Sequence, residues 1–208
     1  MKRIGIYGGS FDPVHYGHLL LAECCREQLA LDEIWWVPAF RSPFKQDRTT
    51  TNGTHRLEML RLATAGHAAF RVDDTELRQA RVSYTVDTLE SFHQAHPDRR
   101  WFLLMGSDSL AGFRSWHRPD RILELATLLV ARRPRLADES ESLVPAETPS
   151  PSQPPVPYEQ VEMPLIGISS TALRAHIRAG RSIRYQTPRA VETYIAEHGL
   201  YGRVEGGG

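Results

Sequence analysis

The stretch Gly8-Gly9-Ser10-Phe11-Asp12-Pro13-Val14-His15-Tyr16-Gly17-His18 decides the fold of this chain. Ahead of it, Lys2 to Tyr7 alternates Ile4 and Ile6 with small or polar residues, the period of a strand. Behind it, His15 to Leu29 carries Leu19, Ala22 and Leu29 at helical spacing. A strand, a glycine turn and a helix follow in that order. Glycines let backbone N–H groups approach an anion with no Cβ in the way, and a helix N-terminus adds unsatisfied donors and partial positive charge. His15 and His18, three apart in the first helical turn, point the same way. The expected ligand is a phosphate.

Outward from this stretch, strand-like and helix-like segments alternate. Glu33 to Val37 predicts a second strand, followed by a polar loop from Phe40 to Asn52 that carries Arg41, Lys45 and Arg48. Thr54 is the expected cap of a helix from His55 to Ala65, and Phe70 to Val72 a short third strand. Val86, Leu89, Phe92 and His93 mark a helix ending before Pro97, and Trp101 to Met105 reads as a buried parallel strand. A short helix from Asp108 to Phe113, a strand from Thr127 to Val130, and short strands at Gln160 to Met163 and Leu165 to Ile168 come next. Helices from Ser170 to Ala179 and from Pro188 to His198 close the chain. Strands separated by helices argue an α/β fold with a doubly wound parallel sheet. One domain spanning 1–208 is expected, with a flexible Pro/Ser-rich insertion at 135–157 and a disordered tail at 203–208.

Composition narrows the function by exclusion. The 208 residues carry Lys+Arg 25 against Asp+Glu 25, so no global charge supports a nucleic-acid or membrane-surface partner. No apolar run approaches the ~18 residues of a membrane span, and Met1-Lys2-Arg3 leads directly into the first strand with no signal peptide. A cytoplasmic protein is expected. Cys24 and Cys25 are adjacent, a spacing that suits neither a disulfide framework nor a zinc site.

Four constellations follow apolar strand candidates and so share the carboxyl edge of the sheet, where open α/β sheets bind ligands. They are Gly8 to His18, Gly106 to Asp108, Arg132 to Arg133 and Ile168 to Arg174. In the last, Ser169, Ser170 and Thr171 open a helix with Arg174 one turn on, which describes a second anion cradle or, more commonly for such a sequence, a serine N-cap with a surface arginine. Each of the others has an ordinary structural reading too. Asp108 caps a helix, Trp116 sits in the core, Arg132-Arg133 is a solvated turn, and His15 with His18 packs or starts a helix. Metal ligation by the two histidines requires a third ligand that the sequence does not identify.

Gly8-Gly9-Ser10-Phe11-Asp12-Pro13 with His15-Tyr16-Gly17-His18, paired with Ile168-Ser169-Ser170-Thr171 and Arg174, resembles the nucleotidyltransferase superfamily. Asp32 to Pro38, His55 to Leu60, Ser83-Tyr84-Thr85, Gly106 to Leu110, Trp116 and Tyr194 to Tyr201 look like the bacterial nicotinate-nucleotide adenylyltransferase family within it. The resemblance covers all but the insertion and the glycine tail. It implies a Rossmann-like three-layer α/β/α sheet with a small C-terminal helical portion. It also implies the reaction of ATP with nicotinate mononucleotide to deamido-NAD and pyrophosphate in NAD biosynthesis, with Mg2+ carried on ATP and no metal held by the protein. By the same resemblance His18, His15 and Arg174 are the expected catalytic residues. Gly8, Gly9, Ser10, Gly106, Asp108, Arg133, Ser169, Ser170 and Thr171 are expected to bind ATP and phosphate, and Thr85, Trp116, His117 and Lys45 the nicotinate nucleotide.

One position departs from the pattern. The family commonly has Pro-His-Lys after the second strand, and this chain has Pro43-Phe44-Lys45. Either Lys45 or Arg41 takes part of the missing histidine's charge, or that loop matters less here. Competing readings are a nicotinamide-mononucleotide or pantetheine-phosphate adenylyltransferase, a cytidylyltransferase, a non-catalytic nucleotide-binding regulator, or a metal hydrolase using His15, His18 and Asp108. The sequence leaves the oligomeric state open, a homo-oligomer included.

Overall fold

A computed structural model describes residues 1–43, 50–132 and 155–202. Six strands form one parallel sheet with helices on both sides, ordered β3-β2-β1-β4-β5-β6. The strands are β1 (Lys2–Gly9), β2 (Glu33–Pro38), β3 (Phe70–Val72), β4 (Arg99–Gly106), β5 (Thr127–Arg132) and β6 (Glu159–Glu162). The helices are α1 (Tyr16–Gln28), α2 (Gly53–Thr64), α3 (Thr75–Gln79), α4 (Thr85–Ala95), α5 (Ser107–Ala111), α6 (Pro119–Leu125), α7 (Ser170–Arg178) and α8 (Arg189–Glu197). The doubly wound parallel expectation holds. Strand order reverses between β1 and β4, the point outside whose carboxyl ends sheets of this order take up nucleotides.

The chain divides into two units. The first comprises Met1–Tyr7, Leu21–Ile34 and Tyr84–Ile166. Its core is apolar and continuous: Trp101, Phe102, Leu103, Leu104 and Met105 of β4 are all buried, as are Leu128, Leu129 and Val130 of β5. A strand covered on both faces reads as an unbroken hydrophobic run, and these do. Parallel register sets Ile4 beside Trp101, Leu104 beside Leu129 and Val130 beside Gln160. Gly5 is needed for this packing, since a Cβ there would stand 2.6 Å from Ile34 Cδ1 and 2.9 Å from Leu104 Cδ1.

The second unit comprises Gly8–Leu20, Trp35–Ser83 and Gly167–Gly208. Within it, Trp36, Met59, Leu60, Leu173, Val191 and Ile195 are buried, which fixes the inner faces of α2, α7 and α8.

Several boundaries differ from expectation. The cap of α2 is Asn52, whose side chain accepts the Thr54 N–H at 2.9 Å, so the helix begins at Gly53 and Thr54 lies inside it. Leu165 to Ile168 is not a strand: Leu165 is 47% exposed, and the segment runs irregularly from β6 to α7. The helix expected from Asp108 to Phe113 is α5 followed by a separate 3₁₀ turn, Phe113–Ser115. Pro188 precedes α8 as its N-cap. Neither α3 nor α6 was anticipated; α3 is too short to show a period, and α6 was signalled only by Pro119 at its first turn. Of the insertion expected at 135–157, residues 135–154 lie outside the described residues and 155–157 belong to no helix or strand; the tail at 203–208 also lies outside them. No described helix is long and apolar enough to cross a membrane.

Candidate active site

The turn joining β1 to α1 is built differently from the glycine turn its sequence suggests. Gly8 and Gly9 are the last residues of β1, and Gly9 still accepts the Ala39 N–H at 2.9 Å. The backbone enters the left-handed region at Phe11 instead, with φ 47°. A bulky residue there is uncommon, and such positions concentrate at functional sites. Gly9 makes the room for it, because a Cβ would lie 3.0 Å from the Phe11 ring. That ring is buried, 5.4 Å from Trp36 and edge-on to His18 at 5.2 Å. A Cβ on Gly8 would meet nothing within 4 Å, so this strand end is open to an incoming group.

His15 and His18 are brought together as the sequence predicted. Their rings stack with centroids 3.7 Å apart. The His15 backbone N–H donates to His18 Nδ1 at 3.3 Å, which requires a lone pair there and assigns the ring hydrogen to Nε2. Gly17 permits the stack: a Cβ would stand 3.1 Å from two atoms of the His15 ring and 3.6 Å from the Ile168 carbonyl. The first turn of α1 is less open than a bare helix start. His15 N–H is committed to His18, and Tyr16 N–H donates to the Gln186 carbonyl at 3.1 Å.

The second cradle reaches the same turn. Ser170 Oγ donates to the Pro13 carbonyl at 2.9 Å, Arg174 Nη1 to the Asp12 carbonyl at 2.6 Å, and Thr187 Oγ1 to the Val14 carbonyl at 2.8 Å. Three successive carbonyls are thus held from the C-terminal part of the chain. Ser169 is the N-cap of α7, its Oγ accepting the Ala172 N–H at 3.2 Å. Arg174 Nη2 also donates to Thr171 Oγ1 at 3.3 Å. The hydroxyls of Ser169, Ser170 and Thr171 thus all make contacts within the protein. Among the described residues, the N–H groups of Ser170 and Thr171 have no partner, and Thr171 is exposed. Free N–H groups at a helix start attract anions.

Sequence reasoning passed over two buried charges here. Arg56, 2% exposed, donates to the carbonyls of Ser10 at 2.9 Å, Ala39 at 2.8 Å and Thr51 at 2.8 Å. Asp12, 5% exposed, accepts the Tyr201 hydroxyl at 2.6 Å and the Thr51 N–H at 3.2 Å. Burial pulls the Arg56 guanidinium below its ordinary value, and the Asp12 charge opposes that. Burial, then the Asp12 charge, pushes the Tyr201 phenol well above the usual range, so it stays a donor. A signal for Arg56 existed, since it shares the inner face of α2 with Met59 and Leu60 at helical spacing.

Thr85, Gly106, Asp108, Trp116 and His117 belong to the first unit. Gly106 ends β4 and is the N-cap of α5, and Asp108 is exposed in the first turn of that helix rather than capping it. Thr85 opens α4. Trp116 is only half-buried, resting on the fully buried Phe113 at 5.5 Å, so it is not a core residue. The exposed His117 ring lies 4.7 Å from Tyr84. Lys45 and Arg133 lie outside the described residues. Among the described residues, no group of three or more His, Cys, Asp or Glu could hold a metal ion.

Strand order and the β1–α1 turn together define a Rossmann-like α/β fold. Residues 6–176 match the family model described as cytidylyltransferase-like. A protein of Rhodopirellula baltica named probable nicotinate-nucleotide adenylyltransferase is 43% identical over 198 residues, covering 95% of this chain and 92% of its own. One of the same name from Thermomicrobium roseum is 42% identical over 205 residues, covering 99% and 94%. The solved Plasmodium falciparum nicotinic acid mononucleotide adenylyltransferase complexed with NaAD shares the fold with a TM-score of 0.76 at 22% identity, over 97% of this chain and 98% of that one. The chain belongs to the cytidylyltransferase-like family and, within it, to the nicotinate-nucleotide adenylyltransferases.

Proposed function

We propose that this chain joins ATP and nicotinate mononucleotide to give deamido-NAD and pyrophosphate, a step of NAD biosynthesis. The observation that carries the reading is the convergence of His15, His18, Ser170 and Arg174 on one turn at the end of β1. The names of the relatives supply the substrates.

A phosphate oxygen of the mononucleotide attacks the α-phosphorus of ATP in line. The new P–O bond forms as the bond to the oxygen bridging toward the β-phosphorus breaks, and pyrophosphate leaves with the electron pair. No protein nucleophile is needed; the protein holds two anions together and stabilises the spreading charge. His18 donates from Nε2 to the transferring phosphates, with His15 stacked behind it to fix its plane. Gly8, Gly9 and Ser10 border the reacting group. The N–H groups of Ser170 and Thr171, with Arg174, take the β and γ phosphates, while Ser169 keeps the helix start in shape. Gly106 and Asp108 contact the ribose, and Arg133 flanks the adenine or the phosphates. The pyridine ring lies on Trp116, its carboxylate read by Thr85 and His117, with Lys45 near the mononucleotide phosphate. Mg2+ carried on ATP would offset phosphate charge, and no protein residue is assigned as its ligand. The proposed setting is the cytoplasm, as one nucleotidyltransferase domain.

Pyrophosphate release from purified protein with ATP and each mononucleotide in turn tests this. Release with nicotinate mononucleotide is expected. Release only with nicotinamide mononucleotide or phosphopantetheine would replace the acceptor, and phosphate release without an acceptor would replace the reaction class.

A further inference from the structure

Asp12 and Arg56 are nearly inaccessible to solvent, yet neither is in the set that the proposed transfer uses. Buried charges contribute little net stability, because desolvation offsets their attraction, and removing one partner leaves the other uncompensated. What these two do is local and geometric. Arg56 gathers the carbonyls of Ser10, Ala39 and Thr51 on one guanidinium. Asp12 joins three stretches of chain, its carboxylate to Tyr201 and Thr51, its carbonyl to Arg174.

Tyr201 reaches Asp12 from beyond α8. The backbone is left-handed at Gly199, φ 58°, and again at Tyr201 itself, φ 64°. Glycine takes that conformation freely, whereas tyrosine does so at a cost, and an outlier of this kind points toward function. The phenol so placed makes the shortest of the contacts to the carboxylate, at 2.6 Å.

We infer that Tyr201 and Arg56 are positioning residues. Through Asp12 and the Ser10 carbonyl they hold the Ser10–His15 main chain and the Arg174 guanidinium in the geometry that receives ATP, without touching substrate. The inference rests on the reading of His18 and Arg174 above.

Tyr201→Phe in the full chain removes one hydroxyl and keeps the ring. Amide hydrogen exchange across 10–18 is expected to accelerate about tenfold while the amides of β4 and β5 keep their protection. With it, kcat/KM for ATP should fall about tenfold and KM for nicotinate mononucleotide stay within about twofold. Asp12→Asn, which keeps an oxygen for Tyr201 but removes the charge that opposes the desolvation of Arg56, should move both readouts the same way. Unchanged exchange across 10–18 overturns the inference. So does acceleration spread evenly over the chain in step with a fall in melting temperature, or faster local exchange with kcat/KM for ATP intact. If the wild-type protein shows no turnover with any acceptor, the adenylyltransferase reading falls, and the exchange measurement still decides whether Tyr201 positions the turn.

Discussion

Gly8–His18 and Ser169–Arg174 look alike in sequence, each a run of small and polar residues opening a helix, but they spend their polar groups differently. In the first, the N–H groups at the helix start are turned inward to His18 and Gln186. What it offers is an oriented imidazole and an unobstructed strand end. In the second, the side chains are turned inward, Ser169 to its own helix and Ser170 to Pro13, and among the described residues the N–H groups of Ser170 and Thr171 have no partner. Matching a motif therefore does not tell which of its atoms meet the ligand. Some residues of each stretch hold the chain so that others can reach out.

The largest expected effect tests the imidazole. His18→Ala should lower kcat by about a hundredfold or more, as loss of one preorganised donor does, with circular dichroism and melting temperature unchanged. Near-wild-type turnover would end its catalytic assignment. Gly17→Ala comes next and sharpens the comparison, because the added methyl presses on the His15 ring while alanine favours helix. We expect kcat to drop about tenfold from the displaced histidine pair with no loss of melting temperature; a drop in stability with kcat intact would mean that the stack is only packing.

Serine exchanges probe the second stretch. Ser170→Ala leaves the Pro13 carbonyl without its donor, and Ser169→Ala removes a helix cap; each should cost about 1 kcal/mol in urea unfolding. If instead the hydroxyls bind phosphate, stability would hold and KM for ATP alone would rise. The smallest effect is titrational. Tyr201 has its folded value raised by burial and Asp12, so its contribution is complete below the unfolded tyrosine value near about 10 and is lost as pH rises beyond it. Unfolding free energy should fall by somewhat under about 1 kcal/mol by pH ~10.5 relative to Tyr201→Phe. Parallel pH profiles for the two proteins would contradict this.

Long, uniformly patterned segments were legible. Trp101 to Met105 and Thr127 to Val130 announced buried parallel strands, and α1, α4, α7 and α8 stood close to where their periods put them. Short or weakly patterned pieces were not, as α3, α6 and the irregular Leu165–Ile168 show, because four to seven residues carry too little periodicity to separate one state from another. The candidate site was legible as a list of residues. Its wiring was not: Asp12 sat unnoticed within the decisive stretch, and Arg56 and Tyr201 lie 44 and 189 positions further along the chain.

By itself the sequence determined the alternation of strands and helices, the location of the phosphate-type turn after β1, the histidine pair and the family. These are local properties, set by hydrophobic period, by glycine and proline, and by residues a few positions apart. Tertiary structure alone decided that Gly8 and Gly9 extend a strand while Phe11 takes the left-handed turn, and that Ser170 holds Pro13. It alone buried Arg56 and Asp12 beneath the site. The reason is that a polar group's partner is chosen by what folding brings within about 3 Å, often from more than a hundred residues away, and no local pattern encodes that choice.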